Sequence, residues 1–288
     1  MSTVPPPSPA APAGTVLLDR PVVAFDLETI PDPAIGRRAM GLEGSDVDVV
    51  REMARRRLEE TDRRSEYPTA LPWHRVVCAC VTTLDPATGR IEIRALGGEL
   101  LDERSHVEGF FRFVTSQATA PRLTSWNGSG FDLPLLRYRG MALGVAAPGF
   151  YVDAGERHAN NYLGRYHDLH VDLMDVLSGY GASSRVGLAA VAAMLGIPAK
   201  AFLERSIIEH VTAGERETLT SYCKLDTVTT MLVFLAWGFH TGRIAAAPLA
   251  RAIEGLRAAV AAEPDPGWRP VETALRSWPP WLTSTDIA

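Results

Sequence analysis

The sequence predicts an α/β fold in which a mixed β-sheet is flanked by α-helices. Three observations predict it. The runs VVAFDLETI, RVVCACVTTLD and RIEIRAL are apolar and β-branched at strand length. The last two are joined by DPATG, whose Pro, Asp and Gly favour a hairpin turn, so these strands run antiparallel. Helical patterns then follow and interleave with a further short strand, an order that buries apolar faces by layering helices on a sheet.

Each element can be justified in turn. Residues 1–17, rich in Pro, Ala and Ser with little to bury, predict a flexible tail. VVAFDLETI is the first strand. A helical insertion over about residues 33–72 separates it from the second. Within that insertion, residues 45–66 interleave Arg with Glu behind Ser45 or Asp46 as N-cap, which predicts a solvated helix. Val107, Phe110, Phe111 and Val114 recur at helical spacing in residues 102–118. RLTSWN is a short strand that breaks at GSG and enters the helical stretch FDLPLLRYRGMALG. Residues 167–177 read as a strand or a turn. VGLAAVAAMLGI is a small-residue helix closed by Gly196 and Pro198. Residues 215–240 form a long apolar helix, and another helix is expected near 247–262. Residues 18–245 thus make the main domain, and 246–288 a C-terminal extension whose tryptophans pack on it.

Composition narrows the function classes. The chain has 288 residues, 46% of them hydrophobic and 22% charged, enough for one domain with a sizeable core. A formal charge of −5 excludes a molecule-wide attraction for nucleic acid, so any such contact must be local. Cys78, Cys80 and Cys223 have neither a disulfide framework nor paired zinc spacing and read as reduced core residues. The N-terminus lacks the basic start and apolar core of a signal peptide, and no apolar run reaches membrane-spanning length. A cytoplasmic protein without membrane contact is expected; protein partners stay open.

The chemistry lies in the carboxylates. Asp26 and Glu28 are two positions apart on a strand and therefore share a face. Like charges that close repel and resist burial, and a divalent cation between them is the usual solution. Asp132 opens a helix after a glycine-rich turn, where the helix dipole alone would favour it. Tyr222 and Asp226 are four apart, one turn along the same helix face, just ahead of an apolar run.

In this order the residues resemble the DEDD superfamily of 3′-5′ exonucleases, which have an RNase H-like fold. The D-x-E motif matches FDLET through Asp26 and Glu28. The second motif matches NGSGFD through Asn127, Phe131 and Asp132, and Y-x-x-x-D matches YCKLD through Tyr222 and Asp226. Ser221 stands where the histidine subclass would need His, so the tyrosine subclass is indicated. The closest resemblance is to the proofreading domain of family B DNA polymerases and to free-standing PolB-like exonucleases, over about residues 20–245.

This resemblance implies two divalent ions, Mg²⁺ or Mn²⁺. Asp26, Glu28 and Asp226 would bind the first, and Asp26 with Asp132 the second, about 3.5 to 4 Å away. Tyr222 would orient the attacking water, its ordinary pKa near ~10 making it a poor base. Leu27 and Phe131 would wedge the terminal base, while Thr29 and Asn127 would meet the sugar; Phe131 reads equally as a core aromatic. The partner implied is the 3′ end of single-stranded DNA or RNA, with DNA preferred. The competing reading is an RNase H-like module that grips nucleic acid or protein without cutting. A phosphatase reading of DLET fails because Glu28 stands where that chemistry wants Asp. YHDLHVDLMDV carries His167, Asp168, His170, Asp172 and Asp175 without a companion ligand pair, so surface polarity or a substrate contact is expected there, with Asp172 a possible outer helper. Arg51, Arg55, Arg56, Arg57, Arg63 and Arg64 could meet phosphates, although the interleaved acids favour a salt-bridged helix.

Overall fold

The computed structural model describes residues 16–62, 64–97, 102–152, 162, 169–198 and 205–282. The first half runs β1 (Val22–Pro31), α1 (Pro33–Met40), α2 (Asp46–Glu60), β2 (His74–Leu84), β3 (Ile91–Ala95), α3 (Glu103–Thr115), β4 (Arg122–Ser125) and α4 (Asp132–Leu143). The second runs β5 (His170–Asp172), α5 (Leu173–Leu177), α6 (Leu188–Met194), α7 (Ile207–Ala213), α8 (Arg216–His240), α9 (Ala246–Ala261) and α10 (Arg269–Leu275).

The sheet has five strands in the order β3-β2-β1-β4-β5. β1–β2 and β2–β3 are antiparallel, whereas β1–β4 and β4–β5 are parallel. This mixed sheet between helical layers is the RNase H-like arrangement. β1 lies at its centre, so both its faces are covered and its residues are apolar nearly throughout.

Alternation along β1 sorts the core. Val22 and Ala24 join one apolar cluster with α8, α9 and α10. Val23, Phe25 and Leu27 join the other, with α3 and α4. Asp26 and Glu28 therefore continue the row that faces α8.

Two readings are corrected by the structure and a third is sharpened. Leu17, counted with the tail, sits in the short turn Val16–Leu18 and is buried in the α8 cluster; residues 1–15 lie outside the described residues. The helix expected to be solvated is α2, where Ser45 forms a capping box with Asp48, but Val49, Val50, Met53 and Ala54 are buried. Finally, Ile253, Leu256, Trp268, Val271, Leu275 and Trp278 share one cluster with Val228 and Met231. Residues 246–282 thus complete the core instead of covering a finished one. α9 comes so close to the β2–β3 turn that a Cβ on Gly255 would stand 1.9 Å from the Gly89 carbonyl oxygen. Among the described residues, no helix is long and apolar enough to cross a membrane.

Candidate active site

Strand register positions the first groups. Asp26 and Glu28 stand opposite Cys80 and Cys78 of β2, so carboxyls and thiols share one face of the sheet. α8 packs across that face and brings Tyr222, Cys223 and Asp226 to it. The Cys223 thiol donates to the Asp26 carbonyl at 3.5 Å and to its Oδ2 at 3.7 Å. Tyr222 is hydrogen-bonded to Asp226 one helical turn away.

Asp132 arrives from the other side. β4 pairs with β1 only from Val22 to Ala24 and ends at Ser125. The Leu27 N–H lies beyond that pairing and hydrogen-bonds the Asp132 carboxylate instead. The connecting turn is held by Asp172, whose oxygens accept the N–H groups of Asn127 at 3.0 Å and Ser129 at 2.8 Å. α4 is fixed behind it by Arg139, which donates to both oxygens of Glu103 at 2.6 Å and to Asp32 at 2.7 Å, all three side chains being buried.

The electrostatics are those of a site without its counter-charge. Burial pushes the Asp26 carboxyl well up, and the charges of Asp132 and Asp226 push it further. Glu28 is raised in the same way by burial and then by Asp26 and Asp226. Asp132 is pushed up to about 7, first by burial and then by Asp172, with its own and the Leu27 N–H opposing. Burial and these carboxylates also raise Tyr222, which keeps it protonated. The charged groups that shift these acids are other acids, not cations. In addition, Asp132 Oδ1 is buried with no hydrogen-bond partner. Ligand atoms of Asp26, Glu28 and Cys223 all lie within 4.8 Å of one another. An oxygen-rich, charge-starved cluster with an orphaned carboxylate oxygen fits a divalent cation.

A cleft of about 820 Å³ opens beside the acids, and Leu27, Glu28, Thr29, Phe131 and Tyr222 all line it. All three strand residues sit at a register shift between Glu28 and Thr29, where the unpaired residue, Val77, stands on β2. Its far wall comes from the loop after α2, through Tyr67 and Pro68, and from His74 and Arg57. Tyr67 stacks on His74, and Phe131 meets the same ring edge-on at 5.2 Å. Pro68 O accepts from His74 Nε2 at 2.9 Å, which fixes the tautomer with the Nδ1 lone pair free. Thr29 therefore donates its hydroxyl proton to Nδ1, at 3.0 Å.

Asn127 is not among the cleft residues. It has φ 67°, a left-handed conformation that asparagine tolerates, and serves the turn instead. His170 is not surface polarity either. It sits against Phe25 and bonds Ser125 Oγ at 2.7 Å, and burial pushes it down to about 4. His167, Asp168 and Arg63 lie outside the described residues. Arg55 and Arg56 are spent on Glu52 and Glu59, as the charge pattern implies. Sequence reasoning missed Tyr67 and His74, which carry no periodic signal. It also missed that the cysteines meet the acids, although Cys78 and Cys80 share the parity that matches Asp26 and Glu28.

A profile described as "Predicted 3'-5' exonuclease related to the exonuclease domain of PolB" matches residues 66–274, well over half of the chain. The chain belongs to that family. The PolB-related exonuclease match includes Asp132, Tyr222 and Asp226 and begins after Asp26 and Glu28. It also runs into α10, in keeping with the shared core. No curated protein matches the chain. Among solved structures, this PolB-related chain is similar to the family B DNA polymerase from the hyperthermophilic archaeon Pyrobaculum calidifontis, at 22% identity and a TM-score of 0.46 over 84% of its own length. It spans 29% of the length of that polymerase.

Proposed function

We propose that this chain is a metal-dependent 3′-5′ exonuclease that hydrolyses single-stranded nucleic acid, DNA in the first instance, from its 3′ end. One observation carries the reading: Asp26, Glu28, Asp132 and Asp226, from three separate elements, burden one another electrostatically beside a cleft that can take a terminal nucleotide. The active unit is residues 18–245, with the extension 246–288 beside it, of which residues 246–282 pack into its core. Three free cysteines without a disulfide suit a reducing, cytoplasmic compartment.

Asp26, Glu28 and Asp226 would hold one divalent cation, Mg²⁺ or Mn²⁺, and Asp26 with Asp132 a second. When bound, such a pair supplies an activated water and stabilises the leaving 3′-oxygen. The protein's own groups do the rest. Tyr222 stays protonated, and with its proton directed to Asp226 its oxygen would orient the attacking water as an acceptor, which makes it a positioner and not a base. Leu27 and Phe131 offer an apolar wedge for the last base. Thr29, its proton already given to His74, presents lone pairs to the terminal 3′-hydroxyl. A paired, stacked end cannot bring its last phosphodiester to buried acids without fraying, which favours single strands.

The test is a gel time course on 5′-labelled single-stranded DNA and its RNA counterpart with Mg²⁺, Mn²⁺ or EDTA. A ladder shortening from the 3′ end is expected with metal, absent in EDTA and in Asp26→Ala and Asp226→Ala. Intact oligonucleotides under every condition, with saturable binding, would instead identify a non-cleaving module.

A further inference from the structure

The chain has three cysteines, and all three meet at one point. Cys78 and Cys80 come from β2, Cys223 from α8 about 140 residues later, and ligand atoms of the three lie within 4.8 Å of one another, buried. The Cys78 and Cys80 sulfurs are 3.7 Å apart. A tetrahedral zinc ion with Zn–S bonds of about 2.3 Å needs neighbouring sulfurs about 3.8 Å apart. Asp26 stands at the edge of this cluster: its Oδ2 is 3.7 Å from Cys223 Sγ, but its carboxylate groups with Glu28 and Cys223 and not with Cys78 and Cys80. The Thr220 hydroxyl, 3.9 Å from Cys78 Sγ, stands where an outer hydrogen bond would orient a thiolate.

We propose that Cys78, Cys80 and Cys223 form a binding site for a soft divalent cation such as Zn²⁺ or Cd²⁺. On binding, the ion takes three thiolates and the three thiol protons pass to solvent. Thiolate donors select such ions over Mg²⁺. Two kinds of cation thus border Cys223, one held by oxygens and one by sulfurs. On the exonuclease reading, filling the sulfur site withdraws the Cys223 thiol from Asp26 and slows hydrolysis. The sulfur site itself stands independently of that reading.

The experiment uses the full chain, reduced and metal-free, titrated with Cd²⁺ alone and again in excess Mg²⁺. The readout is the ultraviolet charge-transfer absorption of Cd–thiolate bonds. One equivalent per chain should give the band with or without Mg²⁺, and Glu28→Gln should retain it. The Cys78→Ser/Cys80→Ser double variant should lose it. Should that variant not fold, Cys80→Ala serves: loss of a ligand should weaken Cd²⁺ by more than the roughly 10–100-fold that loss of an outer-shell partner costs, and should relieve Cd²⁺ inhibition of the Mg²⁺-supported activity. Asp26→Asn should retain the band; its loss there would put the ion on the carboxylates and overturn the thiolate site. No band in the parent, or an equal band in the cysteine variants, overturns the proposal while leaving any nuclease activity untouched. A band in a chain that never cuts would sustain the sulfur site and sink the exonuclease.

Discussion

Thr29 reaches the cleft with its proton committed to His74, so it can only accept a hydrogen bond from a ligand. A 3′-hydroxyl end should therefore be cut faster than a 3′-deoxy end by about 2- to 12-fold, one hydrogen bond's worth. Thr29→Val should erase that ratio while metal dependence persists, measured as kcat/KM on paired oligonucleotides. Asp132 gives a second test. Its carboxyl rises from 3.8 to about 7 in the fold, so the folded chain holds a proton there that the unfolded chain has released. Metal-free stability should then fall as pH climbs from about 4 to about 7, by at most about 4 kcal/mol. Thermal melts in EDTA should show the parent losing more Tm over that window than Asp132→Asn. An equal loss would mean that Asp132 does not carry the effect. These residues differed in how legible they were. Asp26 with Glu28 and Tyr222 with Asp226 follow from strand and helix periods within one element. The Thr29–His74 bond, the turn duty of Asn127 and the thiol cluster depend on groups that only the tertiary structure brings together.

At the scale of elements, the acids are held by what fixes α4 and α8. Arg139 ties α4 to Glu103 of α3 and to Asp32 just beyond β1. Arg139→Met leaves two buried carboxylates without their cation and should cost about 3–5 kcal/mol in urea unfolding. α9 is held by its contact with the β2–β3 turn. Gly255→Ala should push it off and expose residues 246–282 to protease, whereas unchanged resistance would show that the turn gives way instead. Long periodic elements such as α3 and α8 were legible because many apolar positions report the same face. β5 has three residues, too few for any period to declare itself, and is defined by pairing with β4. How deeply the C-terminal extension packs is hidden for a related reason. A helix that completes a core and one that merely covers it have the same amphipathic pattern.

For the whole molecule, a net charge of −5 sets the terms of encounter with a polyanion. Among the described residues, Arg57 and Arg205 line the cleft as cations, and Glu60 and Glu215 already engage them. Contact with one or two phosphates would give a slope of about −0.7 to −1.4 for log kcat/KM against log salt on single strands. A much steeper slope would require a basic track elsewhere on the surface. The largest consequence comes from the acids themselves. Four carboxyls crowded together lower the stability of the empty protein, so replacing them with neutral residues should raise its Tm in EDTA even as it silences the chain. Drift and selection for a sturdier fold would push in the same direction, towards their loss. On the exonuclease reading, a chain that carries all four bears this cost for the cations they would hold.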